Sequence, residues 1–132
     1  PISDMIDFCG GLTDEKVKLV NGGPMMGKAI YQLDVGATKG MSGLLCFSGK
    51  EQEQVGNCIR CGKCSYVCSM GLEPFLLEKL VQKERYEEAF QEKVFSCLEC
   101  GSCTYICPAR RPVLEWIRIG KLHAKKFIKR NG

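Results

Sequence analysis

The 132-residue sequence predicts an α+β chain in two parts. A small unit of one short helix and a few short strands occupies the first 48 or so residues, and a mostly helical unit follows. Three observations carry this. Short apolar stretches separated by glycine-rich turns fill the first part. Two cysteine runs, Cys58-Ile-Arg-Cys61-Gly-Lys-Cys64-Ser-Tyr-Val-Cys68 and Cys97-Leu-Glu-Cys100-Gly-Ser-Cys103-Thr-Tyr-Ile-Cys107-Pro108, both fit C-x2-C-x2-C-x3-C. The 28 residues between them have the periodicity of helices rather than strands.

From the N-terminus, Ile2, Met5, Ile6 and Cys9 recur at helical spacing. Ser3 is the expected N-cap, Asp4 suits the first turn, and Gly10-Gly11 supplies a stop. Val17 to Val20 alternates with Lys16 and Lys18, predicting a strand with one wet face. In Asn21-Gly-Gly-Pro-Met-Met-Gly27-Lys28, Gly22, Gly27 and Lys28 satisfy G-x4-G-K. A phosphate loop, however, needs Ser or Thr next where Ala29 stands, and Pro24 removes an amide donor, so turns between strands are expected. Ala29 to Leu33 reads as another short strand, Asp34 to Gly43 as turns, and Leu44 to Phe47 as a buried strand. Cys9 and Cys46 have no nearby partner of metal-ligand type and read as buried free thiols. Ser48 to Asn57 lacks periodicity and reads as a linker, which sets the domains at 1–50 and 51–132.

Beyond the first run, Pro74 suits the first turn of a helix with Phe75, Leu76, Leu77, Leu80 and Val81 on its apolar side. Tyr86, Ala89, Phe90 and Val94 mark a second helix, wetted by Glu84, Glu87, Glu88 and Glu92, that leads into Cys97. Pro112 starts the last helix. Its Val113, Trp116, Ile117, Gly120, Ala124, Phe127 and Ile128 share a face, with Arg118, Lys121, Lys125 and Lys129 away from it, to about Arg130. That basic side reads first as a solvated face, and second as a docking surface for an acidic partner or anionic membrane. His123 reads as surface or packing.

Three thiolates at this spacing wrap one loop round three corners of an iron–sulfur cube, and the fourth cysteine of such a run ligates the other cluster in two-cluster ferredoxins. The expected sets are Cys58, Cys61, Cys64 and Cys107 for one [4Fe-4S] cluster, and Cys97, Cys100, Cys103 and Cys68 for a second. Gly62 and Gly101 let backbone amides approach the sulfides. Ile59, Tyr66, Val67, Leu98, Tyr105 and Ile106 are expected to wall the clusters from water, while Arg60, Lys63 and Glu99 either tune potential or lie on the surface. Disulfides require an oxidising compartment, and no signal peptide is visible. Structural zinc usually takes two separated C-x2-C pairs; it and a damaged three-iron cluster remain the alternatives.

Residues 109–132 hold eight Lys or Arg against one acid, Glu115, a balance of +7 against −3 for residues 1–108. Bound thiolate clusters bring the loaded protein near neutral, so the basic tail is a poor argument for nucleic acid. No apolar run approaches the roughly 20 residues of a membrane span, and the chain reads as soluble. It begins at Pro1 rather than Met, and so reads as a piece of a longer protein. With one His and no nucleophile–base set, no catalytic residues are expected.

Pro1-Ile-Ser-Asp, Cys9-Gly-Gly-Leu12, Asn21-Gly-Gly-Pro-Met-Met-Gly27, Thr38-Lys-Gly40 and the two cysteine runs together resemble the C subunit of the Rnf ion-translocating ferredoxin:NAD oxidoreductase, along essentially the whole chain. The resemblance implies a soluble-ligand-binding β-grasp (SLBB) portion over 1–50 and an α-helical ferredoxin domain with two [4Fe-4S] clusters over 51–132. It implies electron transfer as the function, other Rnf subunits (a ferredoxin-like cluster protein among them) as partners, and a peripheral position on the cytoplasmic side of the plasma membrane through the complex. FMN and NAD belong to an upstream region whose glycine-rich segments this sequence lacks, so the chain alone is not expected to turn over NADH. Similar chains include a cobalamin reductase; a third reading is a binding or assembly module whose clusters are mainly structural. The flavin-binding subunit of respiratory complex I is also similar, but has one cysteine run here. Ser69 stands where many ferredoxin runs have Pro, which affects the exit turn and removes no ligand.

Overall fold

The computed structural model describes residues 1–48 and 54–128. The chain divides into two compact units, 1–52 and 53–132. The expected boundary at 50/51 and half of the expected linker, residues 49–53, lie outside the described residues, as do Lys129 and Arg130.

In the first unit, helix α1 spans Ile2–Phe8 and buries Ile2 and Ile6. Ser3 is not its cap. Pro1 takes the cap position, two residues earlier, and the amides of Ile2 and Ser3 donate to the carbonyls of Val35 and Leu33, 3.0 Å away in each case. Neighbouring chain thus satisfies amides that a helix otherwise leaves without partners. The helix stops at Phe8, so Cys9 falls beyond its apolar stripe and is exposed rather than buried.

Strands β1 (Val17–Asn21), β2 (Lys28–Ile30) and β3 (Leu44–Ser48) form an antiparallel sheet in the order β2-β1-β3. The predicted alternation in β1 is only partial: as the central strand it buries both Leu19 and Val20. Ile2, Ile6 and Leu19 form the small core, with Val17, Ile30, Met41 and Leu44 against it. Asn21 pairs with Lys28, so the glycine-rich segment is a hairpin loop, and Lys28 begins a strand where a phosphate loop would open a helix. β3 forms where expected but as an edge strand, leaving Cys46 and Phe47 exposed rather than buried.

The second unit is helical: α2 (Lys63–Tyr66), α3 (Pro74–Gln82), α4 (Tyr86–Gln91), a 3₁₀ turn at Val94–Ser96, α5 (Ser102–Ile106) and α6 (Val113–Ile128). Pro74 occupies the first turn of α3, where its missing amide costs nothing. The second predicted helix is shorter than its periodicity suggested. α4 ends at Gln91, and Lys93 takes a left-handed φ of 59° before Val94 reaches the core. Leu77, Leu80 and Val81 of α3 pack with Ala89, Val94, Val113, Ile117 and Ala124. Gly120 makes the α3–α6 approach possible: a Cβ there would lie 2.5 Å from Val81 Cγ2. His123 is exposed and stacks on Tyr86 with ring centroids 4.8 Å apart.

Candidate metal centre

Each cysteine run folds as a tight loop followed by one or two turns of helix. Gly62 (φ 74°) and Gly101 (φ 81°) are the N-caps of α2 and α5, in a left-handed conformation open to glycine at little cost. Arg60 and Glu99, each in the first gap of its run, share positive φ at 54° and 57°. After the fourth cysteines, Gly71 and Arg110 do so again at 63° and 55°. The two halves are therefore the same device, 39 residues apart.

The loops border two hollows. Cys58, Cys61, Cys64 and Cys107 line one, of about 390 Å³ including space open to solvent. Cys68, Cys97, Cys100 and Cys103 line the other, of about 380 Å³. A shift of 39 residues maps one lining onto the other, except that Arg60 lines the first and its counterpart Glu99 does not line the second. All eight sequence-predicted cysteines are thus brought to these hollows, three from one run and one from the other at each. Cys9 and Cys46 line neither.

Four sulfur donors round a space suit an iron–sulfur cluster in type and in shape. A single zinc ion would instead need four thiolates at about 2.3 Å, converging on a point. The Glu99 amide already donates to Cys97 Sγ at 3.4 Å, the kind of amide–sulfur bond that tunes such sites.

The thiols ionise unequally. Burial pushes Cys103 up to about 11 and raises Cys97 as well, although the Glu99 amide opposes the latter. Cys100 is lowered, chiefly by the Ser102 hydroxyl, whose Oγ lies 3.4 Å from its sulfur.

The walls are only partly those predicted. Tyr66 and Tyr105 are 92% and 79% exposed. Each sits two residues past the ligand-type cysteine of its short helix, and so about 200° round it. Ile59 and Leu98 touch the hollows but face mostly outward, and Val67 and Ile106 are half-buried. Phe75 and Val113 close the first hollow, and Leu72, Leu114 and Ile117 the second.

Charged groups close to the hollows also differ from expectation. Arg118 and Lys121 are not on a solvated face: their side chains are only 14% and 18% exposed. Arg118 Nε donates to Glu99 Oε2 at 3.0 Å, and Lys121 Nζ donates to Glu99 Oε1 at 2.9 Å and to the Cys97 carbonyl at 2.6 Å. Glu99 is thereby held below the usual carboxylate range, the Lys121 hydrogen bond first among the causes. Sequence reasoning missed Glu78, which is 2% exposed and paired with Arg111 at 2.8 Å. The signal was there: Glu78 interrupts the apolar stripe of α3 between Leu77 and Val81.

Residues 57–110 match the family model of a 4Fe-4S dicluster domain. Over 92 residues the chain is 48% identical to the C subunit of the proton-translocating ferredoxin:NAD(+) oxidoreductase complex of Clostridium ljungdahlii, covering 65% of this chain and 19% of that one. It is 41% identical over 124 residues to the C subunit of the Na(+)-translocating ferredoxin:NAD(+) oxidoreductase complex of Acetobacterium woodii, covering 92% and 28%. It is 40% identical over 91 residues to the C subunit of the ion-translocating oxidoreductase complex of Rhodobacter capsulatus, covering 67% and 18%. The chain thus spans less than a third of the length of these curated relatives. With a dicluster match over both cysteine runs and this identity reaching well beyond them, the chain belongs to the C-subunit family of ion-translocating ferredoxin:NAD oxidoreductase complexes.

Proposed function

We propose that this chain relays single electrons through two [4Fe-4S] clusters inside the C subunit of an Rnf-type complex. Cys58, Cys61, Cys64 and Cys107 hold one cluster, and Cys97, Cys100, Cys103 and Cys68 the other. The observation that carries this reading is the pair of hollows, each bordered by three cysteines of one run and the fourth of the other. When bound, such clusters supply reversible one-electron redox chemistry at potentials set by hydrogen bonds, charge and solvent exposure. The chain's own part is to space the thiols, aim the Glu99 amide at Cys97 and bring apolar side chains from α3 and α6 against each site.

On this reading FMN and NAD bind to parts of the subunit outside this chain, and residues 1–50 are an SLBB portion. The partners are other subunits of the complex, one of them a ferredoxin-like cluster protein, and the position is peripheral on the cytoplasmic face of the membrane. No helix among the described residues is long and apolar enough to cross a membrane.

Iron and acid-labile sulfide analysis of anaerobically prepared protein tests the reading, together with EPR after reduction. About eight irons per chain are expected. Zinc in their place would sink the proposal. The 132 residues alone should give no NADH–acceptor activity; a measurable rate would contradict the placement of FMN and NAD elsewhere.

A further inference from the structure

The 39-residue correspondence between the two hollows is close in backbone and in cysteines, but among the lining side chains withdrawn from solvent it breaks in charge at two positions. Where the second hollow has Leu72 and Ile117, the first has Arg111 and Glu78. The charged pair is well buried, with side chains 15% and 3% exposed. It is also fully engaged. Arg111 Nε lies 3.0 Å from both Glu78 carboxylate oxygens, Nη2 lies 2.8 Å from Oε1, and Nη1 donates to the Gly56 carbonyl at 2.9 Å. Gly56 stands two residues before Cys58, and its amide donates to the Ala109 carbonyl, two residues after Cys107, at 2.9 Å.

The guanidinium therefore joins three pieces of chain: the approach to Cys58, the exit from Cys107, and α3. Cys58 and Cys107 are the outermost cysteines of this site in sequence, and no disulfide holds them together. A buried ion pair is seldom there for stability, because well-packed apolar residues of similar size serve as well or better. The second hollow illustrates that alternative with Leu72 and Ile117. What the apolar pair cannot supply is a charge beside the metal.

We propose that Glu78 and Arg111 are the positioning pair of the Cys58/Cys61/Cys64/Cys107 site. Arg111 closes the site across Gly56 and brings a positive charge to it, and Glu78 fixes the guanidinium there and offsets that charge. The inference rests on the cluster reading above. Reduction adds an electron to the cluster, so a nearby cation favours the reduced state and a nearby anion disfavours it, with little screening at this burial. The two halves of the pair thus act on the potential in opposite directions. A purely structural clamp would give both substitutions the same consequence.

The test is an anaerobic redox titration followed by EPR on the cluster-loaded protein, with iron and sulfide counted in parallel. The relevant signal is the one lost in Cys58→Ala. Glu78→Gln is expected to raise its midpoint and Arg111→Gln to lower it. Each should change the one-electron reduction equilibrium about tenfold, which is 59 mV for one electron, while the other signal stays put. Shifts in the same direction, or none, at about eight irons per chain overturn the proposal. Should either single variant lose half its iron, the double variant Glu78→Ile/Arg111→Leu, which copies the second hollow, decides. Support requires restored iron and a midpoint close to the native one, because the two opposed shifts cancel when both charges go. Restored iron with a midpoint displaced by as much as either single substitution, or iron still missing, overturns the proposal. An unsubstituted protein lacking about eight irons would sink the cluster reading itself, a distinguishable result.

Discussion

Cys100 and Cys103 stand three residues apart, one before α5 and one within it, and differ in their readiness to lose a proton. The Ser102 hydroxyl favours the thiolate of the exposed Cys100, whereas burial holds Cys103 up to about 11. In metal-free protein near neutral pH, iodoacetamide should label Cys100 well before Cys103, because the thiolate is the nucleophile. Peptide mass spectrometry reads the order, and raising the pH towards 11 should bring Cys103 in. Glu99 gives a second expectation at this scale. Its carboxyl is lowered in the fold, so its contribution to stability is present above the ordinary carboxylate range and lost as pH falls through its depressed value. Glu99→Gln should flatten that acid-side loss in pH-dependent thermal unfolding. The gathering of the eight run cysteines at two hollows was legible from their spacing, because spacing within a loop is a local property of the chain. Glu78 and Arg111 were not: they are 33 residues apart, and only the fold brings them into contact.

Helix α6 read from sequence as apolar on one side and basic on the other, and its stripe of Val113, Ile117, Gly120 and Ala124 is buried as expected. Its basic side divides. Arg118 and Lys121 turn towards the second cysteine loop, Lys126 Nζ lies 5.9 Å from the Tyr86 ring centroid, and Lys125 is exposed. Arg118→Glu/Lys121→Glu would set two acids beside Glu99. It should broaden or abolish the EPR signal of the Cys97/Cys100/Cys103/Cys68 site, while Lys125→Glu should leave both signals intact. At the crossing with α3, Gly120→Val should destabilise the second unit by about 1–3 kcal/mol through overpacking against Val81, measured by urea unfolding. Helix ends were less legible than helix faces. α4 closes at Gln91 although Val94 keeps the apolar spacing, since a left-handed residue at Lys93 can restart the chain without disturbing the period. The edge position of β3, and with it the exposure of Cys46, depends on which strands pair, and no local pattern encodes that.

At the scale of the molecule, the two units offer very different cores. The first buries a handful of apolar side chains; the second buries more of them, interleaved with the cysteine loops. Exchange of the fourth cysteine between the runs makes a specific expectation. Cys107→Ala should lose the same EPR signal as Cys58→Ala, and Cys68→Ala the same signal as Cys97→Ala, each leaving about half the iron. If Cys68→Ala instead matched Cys58→Ala, each run would serve its own metal. The same exchange bears on biosynthesis. Cys58 emerges from the ribosome 49 residues ahead of Cys107, and the two sites receive their last thiols only at Cys103 and Cys107, four residues apart. On the proposed ligand sets, a nascent chain completes its two cages within four residues of each other, so neither site should hold a full cluster before Cys103 is made, and the two should then load in close succession.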